Sequence, residues 1–317
     1  MQFFSYFKII FEAVAQIALI GLSGYIFAKK KAINEDGVRL ISNGVVNFLL
    51  PCYIFVSLIR NFNFQIYSNW WLFPLISLFI TALGFFVGLF FFWLGKGKKE
   101  YQNEFISLVA FQNSGYLPLM LVNLVFDNPI KENLTIIIFL FLLGFNFVFW
   151  SFVPYYLDKK RKIAVKHLFS PPVVAIILSL ILIFFKFSHL IPKFFLEAAS
   201  MLGNCVLPLA ILVVGASLAL ISSHLSIQFA IVLRLLLVKL IILPLLCLIF
   251  IFFFKPSREI TFLILLEASM PSATSLSVVT KKHNIDEDII SLGIFWTHIG
   301  SLITVPVWLI VAGFLKN

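Results

Sequence analysis

The stretch FQNSGYLPLML, residues 111–121, interrupts an otherwise apolar segment that runs from about residue 101 to residue 126. Its polar residues, glycine and proline stand where a membrane-spanning helix is usually most uniform. Gly and Pro weaken or remove backbone hydrogen bonds, and hydrocarbon offers no replacement for them. A second interruption, EASMPSAT at residues 267–274, lies in another apolar segment. We expect both interruptions to be helix breaks that serve a function.

Composition places the whole chain in the membrane class. Hydrophobic side chains make up 61% of the 317 residues and charged ones only 12%, and the mean hydropathy is +1.05. These values lie outside the range of soluble globular proteins. The net charge of +10 falls mostly in short gaps between apolar runs, so it predicts topology rather than a nucleic-acid partner.

Segments of roughly 20 apolar residues are needed to cross a bilayer. On that basis the sequence predicts ten spans, at about 7–28, 38–59, 70–94, 102–126, 133–157, 170–187, 194–221, 227–254, 259–280 and 288–314. Placing both termini outside puts fourteen Lys and Arg residues on the cytoplasmic side and eight on the other. The positive-inside rule therefore predicts this orientation.

The longest polar connection, DKKRKIAVKHLFS, begins at residue 158 and divides the chain into five spans and five spans. We expect a first repeat at 1–157, a cytoplasmic linker at 158–169 and a second repeat at 170–317, all within one membrane domain. Two homologous sets of five spans must lie upside down relative to each other. The spacing Asn-x-x-x-Pro recurs 157 positions later, and the last span of each set carries a proline. The residues concerned are Asn47, Pro51, Asn204 and Pro208, with Pro154 and Pro306.

Inverted repeats would bring the two interruptions together near the middle of the membrane. Broken helices there present N-terminal N–H groups and a partial positive charge to a shared cavity. Such a cavity suits an anion, and in particular a carboxylate. Uncharged donors for it are Asn113, Ser114, Ser272 and Thr274.

Other polar residues within the spans have two interpretations each. Asn47 and Asn204 either bond carbonyl groups released by the prolines that follow or line the site. Glu267 either carries a coupling proton or neutralises Lys239 or Arg234 in span eight. His298 either titrates near neutral pH or is a hydrogen-bonded structural residue.

Enzymatic and metal chemistry have no sequence signal. The chain has no HExxH, GxSxG or Walker motif, and its three cysteines show no ligand spacing. We expect no enzyme activity, no bound metal and no cofactor, although coupling to protons or sodium remains open.

Several of these motifs resemble the auxin efflux carrier family, which includes plant auxin exporters and bacterial permeases for malonate or malate. The resemblance is carried by Asn-x-x-x-Pro in spans two and seven, by Asn-Ser-Gly-Tyr-Leu-Pro at residues 113–118, and by span nine with the later Thr304-Val305-Pro306. It extends over nearly the whole chain. The linker of about a dozen residues departs from the long loop of many plant members, so auxin is a poor guess as substrate.

The resemblance implies the fold of bile-acid sodium symporters and sodium-proton antiporters, in which spans four and nine unwind and cross and a mobile unit moves like an elevator. It implies that Asn113 contacts the substrate carboxylate. It also implies supporting positions at Ser114, Gly115, Pro118, Pro271, Asn47, Pro51, Asn204 and Pro208.

The expected function is secondary transport of small organic anions, mono- or dicarboxylates, across the inner membrane of a prokaryote. Two alternatives stay open, a sodium-coupled symporter of the bile-acid type and a membrane receptor that binds without transport. The expected partners are the anion and the lipid bilayer. No nucleic acid is expected, and a homodimer is an open alternative to a monomer.

Overall fold

The computed structural model describes residues 2–95, 99–158, 169–220, 229–283 and 288–314. Within these ranges the chain is helical and forms no β-strand; its extended pairing is one isolated bridge. The α-helices of the described ranges are α1 (Gln2–Lys29), α2 (Glu35–Gly44), α3 (Leu50–Asn61), α4 (Leu72–Leu94), α5 (Gln102–Ala110), α6 (Tyr116–Val125), α7 (Ile130–Leu157), α8 (Pro171–Phe184), α9 (Lys193–Asn204), α10 (Val206–Leu220), α11 (Phe229–Leu237), α12 (Leu243–Phe254), α13 (Arg258–Ser269), α14 (Ser275–His283) and α15 (Asp288–Phe314).

Among the described residues, seven helical stretches are long and apolar enough to cross a membrane. They are Phe7–Lys29, Glu35–Asn61, Leu72–Leu94, Ile130–Leu157, Lys193–Leu220, Ala230–Phe254 and Ile289–Gly313. The protein is therefore an integral, multi-pass membrane protein. Many large apolar side chains face outward, including Phe252, Phe253 and Phe254 at 69%, 74% and 70% exposure, as a lipid-facing surface requires.

The other three predicted spans are not continuous helices of that length. Spans four and nine are each divided, into α5 and α6 and into α13 and α14. Span six is the 14-residue helix α8, which is shorter than predicted because the chain turns at Lys186, whose φ is +59°. The count of ten crossings and the inverted repeat therefore stay predictions. Most of the predicted linker, residues 159–168, lies outside the described residues.

Two helices contain short π-helical turns. One turn, Val45–Leu49, joins α2 to α3, and the other, Val238–Ile242, joins α11 to α12. Each is followed by a proline, Pro51 or Pro244, at the start of the next helix. A proline cannot donate to the turn before it, and π-helical turns of this kind are frequent at functional sites.

The helices pack as two groups. In the first, α1 lies along α10, and α3 lies against α8 and α9; in the second, α4 packs on α5 and α7, and α13 on α15. The backbones of α1 and α10 touch, because a methyl group on Gly24 would collide with the carbonyl of Leu212, and one on Gly215 with the carbonyl of Gly21. Small residues allow such close packing in membranes.

Candidate functional site

The two interrupted segments cross each other and pair through their backbones. The N–H of Asn113 donates to the carbonyl of Pro271 at 2.8 Å, and the N–H of Ala273 donates to the carbonyl of Phe111 at 2.9 Å. These bonds flank an antiparallel bridge between Gln112 and Ser272. The crossing thus supplies hydrogen bonds that each segment loses when its helix ends, as burial in a membrane protein requires.

The carboxyl end of α5 is held from three directions. Ser272 Oγ donates to the carbonyl of Leu108 at 2.7 Å, and Lys239 Nζ donates to that of Val109 at 2.9 Å. The third bond is the one from Ala273 to Phe111. The final carbonyl groups of a helix have no partner within it and carry partial negative charge. Lys239, which is fully buried in a π-helical turn, therefore acts on this helix end.

On the other side of the crossing, two half-helices begin at the same cavity. Helix α6 starts at Tyr116 after Gly115, without a side-chain cap, and α14 starts at Ser275. Gly115, Tyr116, Thr274 and Ser275 all line the cavity. Its wall therefore receives the positive ends of two helix dipoles.

The crossover cavity, as we call it, has a volume of ≈ 500 Å³. Both helix groups contribute to it, the first through α2, the following π-helical turn and α10, and the second through the crossing, α7 and α14. Its lining includes Asn43, Asn47, Asn113, Asn146 and Ser217, and no charged side chain among the described residues. A cavity of this size, lined by apolar side chains and uncharged polar ones, is suited to a small molecule.

Asn113 lies at the base of this cavity, with 5% of its surface exposed, and is oriented by His298. His298 Nδ1 lies 2.8 Å from the carbonyl oxygen of Ile294, which can only accept, so Nδ1 carries a hydrogen. In neutral His298 the other nitrogen, Nε2, must then accept, and Asn113 Nδ2 donates to it at 3.4 Å. This arrangement leaves Asn113 Oδ1 and one N–H for a ligand.

Glu267 is fully buried behind the crossing. Both of its carboxylate oxygens and both amide atoms of Gln112 lack hydrogen-bond partners in the described part of the chain. The side chains of Ser114 and Gln112 lie close to the carboxylate without hydrogen-bonding geometry, and Lys239 acts on it through charge. Ser114 and Gln112 also line the cavity, so Glu267 lies one side chain away from it.

The predicted ion pair of Glu267 is not formed by direct contact within the described ranges. No nitrogen of Lys239 or Arg234 lies within 4.0 Å of the Glu267 oxygens. Arg234 instead donates from Nη2 to the carbonyl of Gly95 at 2.9 Å. A buried carboxylate without a partner is costly to keep ionised. The contacts among the described residues therefore do not explain why Glu267 is buried here.

The remaining predicted residues divide into those at the crossover cavity and those elsewhere. Ser114, Gly115, Thr274 and Asn47 line it, and the Asn47 amide forms no hydrogen bond with described residues. The others are absent from its lining, namely Pro51, Pro118, Pro271, Ser272, Asn204 and Pro208, with His298, Lys239 and Glu267 behind it. Ser272 is fully buried, with its backbone N–H donating to Thr297 Oγ1 at 3.2 Å. Asn204 lines a second cavity of ≈ 170 Å³.

Sequence reasoning overlooked several lining residues. Asn146 is one of them, and it is visible in the sequence as the single amide within the apolar run TIIIFLFLLGFNFVFW. Trp150 follows it by four residues and so lies on the same helix face. Ser217, a serine within the apolar helix α10, also lines the cavity. Gln112 and Tyr116 lie inside the stretch that was singled out but were not assigned a role.

Comparison with known proteins identifies the family of this chain. The sequence model of a family described as "Membrane transport protein" matches residues 9–162 and 155–309. The chain belongs to this family. The resemblance to the auxin efflux carriers is thereby confirmed.

Two curated relatives of the family are also similar to this chain. An uncharacterized transporter of Methanocaldococcus jannaschii is 25% identical over 94% of this chain and 97% of its own length. An uncharacterized transporter of Schizosaccharomyces pombe is 29% identical over 36% of this chain and 25% of its own length.

Proposed function

We propose that this protein is a secondary transporter of small organic anions, mono- or dicarboxylates. The observation that carries the proposal is the pair of half-helix N-termini, α6 and α14, that open on one uncharged polar cavity. Helix N-termini favour anions through their free N–H groups and dipoles. A cavity without fixed cations binds an anion weakly enough to release it, as transport requires.

Alternating access by an elevator-type movement is part of the proposal. The crossover cavity lies between the two helix groups, so movement of one group past the other would carry the site. In this proposal the first group, in which α1 packs closely on α10, is the fixed one, and the group that carries the crossing moves. With the orientation predicted by the loop charges, the cavity opens toward the cytoplasm of a prokaryotic cell.

The orientation of Asn113 supports proton coupling as part of the proposal. With His298 neutral, one N–H of the Asn113 amide donates to His298 Nε2. The Asn113 carbonyl oxygen then occupies the position that a substrate carboxylate would take. Protonation of His298 makes both ring nitrogens donors, and Asn113 must then turn its oxygen to Nε2 and its NH₂ group to the cavity. A proton on His298 would therefore favour bound carboxylate.

The sodium-coupled alternative rests on Glu267, whose two unpartnered oxygens behind the cavity wall are suitable ligands for a hard cation. Other charged or titratable groups nearby are Lys239 on the adjoining helix and His298 on α15. Lys239 already places one positive charge near the carboxylate. This makes a proton the better candidate.

The deciding experiment uses purified protein in liposomes. Uptake of radiolabelled acetate, lactate, malonate and malate is measured with a pH gradient, with a sodium gradient and with neither. We expect saturable uptake of at least one anion that increases with an inward proton gradient. Uptake that follows only the sodium gradient would favour the bile-acid type. A ligand that raises the melting midpoint without any uptake would indicate a receptor.

A further inference from the structure

The second cavity lies between the same two helix groups as the crossover cavity. It is lined by α3 and α9 from the first group and by α6 and α7 from the second, with Asn123 and Asn204 among its polar residues. Its volume is ≈ 170 Å³. Asn123 is the exposed residue of the mostly buried helix α6, and its side chain lies at this cavity.

The two cavities extend toward opposite ends of the helix bundle. Helix α7 contacts the second cavity through Lys131 near its start and the crossover cavity through Ser151 near its end. At about 1.5 Å per residue these positions are roughly 30 Å apart. The helical stretch from α2 through α3 shows a similar separation, because Ser42 lines the crossover cavity and Arg60 lines the second one.

Positions that are 157 residues apart line opposite cavities. Asn43 and Asn47 line the crossover cavity, and their counterparts Ser200 and Asn204 line the second one. In the reverse direction, Arg60 lines the second cavity and its counterpart Ser217 the crossover cavity. The offset is that of the Asn-x-x-x-Pro motifs, and the correspondence supports the second cavity as the counterpart of the crossover cavity.

The two cavities differ in charge. Arg60 and Lys131 line the second cavity, together with the single carboxylate of Glu132. Asn128 Nδ2 donates to Glu132 at 2.7 Å, whereas neither Arg60 nor Lys131 has a carboxylate within 4.0 Å in the described ranges. Arg60 reaches Ser200 Oγ at 3.5 Å. Two cations without a carboxylate within 4.0 Å therefore face a cavity whose other polar residues are mostly amides and hydroxyls.

We propose that the second cavity is an anion-capturing vestibule, in which Arg60 and Lys131 bind the carboxylate of the substrate on the side opposite the crossover cavity. This inference rests on the proposed function. Clefts with charge of one sign concentrate ligands of the opposite sign, and the effect weakens as ionic strength rises. The transporter is then asymmetric, with tighter apparent affinity on the vestibule side and a stronger preference there for dianions.

The test compares uptake from the two sides. Intact cells expose one side of the transporter and inverted membrane vesicles the other; both are assayed with radiolabelled malonate and acetate. Arg60→Gln and Lys131→Gln should each raise KM for malonate roughly tenfold on the vestibule side, as expected for a lost charge-assisted hydrogen bond, and leave the opposite side unchanged. Acetate should be affected less, and Arg60→Lys should restore part of the affinity.

Lys193→Gln is the matched control. Lys193 is an exposed cation at the start of α9, at the same end of the bundle, and does not line the vestibule. Equal KM changes on both sides, no change on either side, or an equal effect of Lys193→Gln would overturn the inference alone. Absence of saturable uptake of either anion by the wild-type protein would overturn the carboxylate assignment itself.

Discussion

The two segments of the crossing are similar in sequence character but differ in what their side chains do. The first, residues 111–115, presents Asn113, Ser114 and Gly115 to the cavity. The second, residues 270–274, directs Ser272 into the protein, where it holds α5, and exposes mainly Thr274. The crossing thus divides into a segment whose side chains face the cavity and a segment whose side chain holds α5. The number of polar residues does not distinguish them.

The largest effect is expected from Asn113→Ala, which removes the amide at the base of the cavity. A hydrogen bond to a charged group contributes about 1.5–3 kcal/mol, so affinity for the transported carboxylate should decrease roughly 10- to 150-fold. The melting midpoint should change little. Asn69→Ala, in an exposed turn, is the control. Uptake with wild-type rate and affinity would remove Asn113 from the site.

The next largest effect is on pH dependence. His298→Gln keeps a polar group beside Asn113 but cannot titrate, so we expect uptake to lose its increase at low pH, which is at most about tenfold per pH unit for one coupled proton. Glu267→Gln is measured in parallel. If only Glu267→Gln flattens the pH profile, the proton is carried behind the crossing and the His298 mechanism is wrong.

Ser272→Ala should act on stability instead of affinity. It removes the hydroxyl that donates to Leu108 and leaves a buried carbonyl with one partner fewer, which costs about 1–3 kcal/mol. We expect a lower melting midpoint in detergent and an unchanged KM for the protein that remains folded. A changed KM at an unchanged midpoint would show that the second segment also binds.

The smallest effect is expected from Thr274→Val, which replaces the hydroxyl by a methyl group of similar shape. A neutral hydrogen bond contributes about 0.5–1.5 kcal/mol, so KM should rise roughly two- to tenfold. Thr304→Val, on a half-buried face of α15 that does not line the cavity, serves as its control. A loss as large as that of Asn113→Ala would make the two segments equivalent in binding.

The positions of the two breaks could be predicted because they depend on local chemistry. Proline and glycine interrupt a helix wherever they stand, and polar groups in an apolar segment require partners. The same local rules predicted long helices for most of the spans. They overestimated α8, since hydropathy alone does not detect that the chain turns at Lys186.

The direction of each side chain at the crossing could not be predicted. Helical periodicity assigns faces only while the helix continues, and residues 111–115 and 270–274 are not helical. Ser272 and Thr274 therefore look equivalent in the sequence but lie on different sides of the structure. Within a helix the periodicity does separate neighbours, because Gly215 packs on Gly21 whereas Ser217, about 200° further around α10, faces the cavity.

The contact between α1 and α10 has a consequence for how motion in this protein can be measured. Where the two backbones touch, no side chain can rotate to absorb a displacement. We therefore expect α1 and α10 to keep their positions relative to each other. When the protein is partly destabilised in detergent, the amide hydrogens around Gly24 and Gly215 should exchange with solvent more slowly than those of other helix pairs. Distances measured from labels on this pair would then report displacement of the crossing itself.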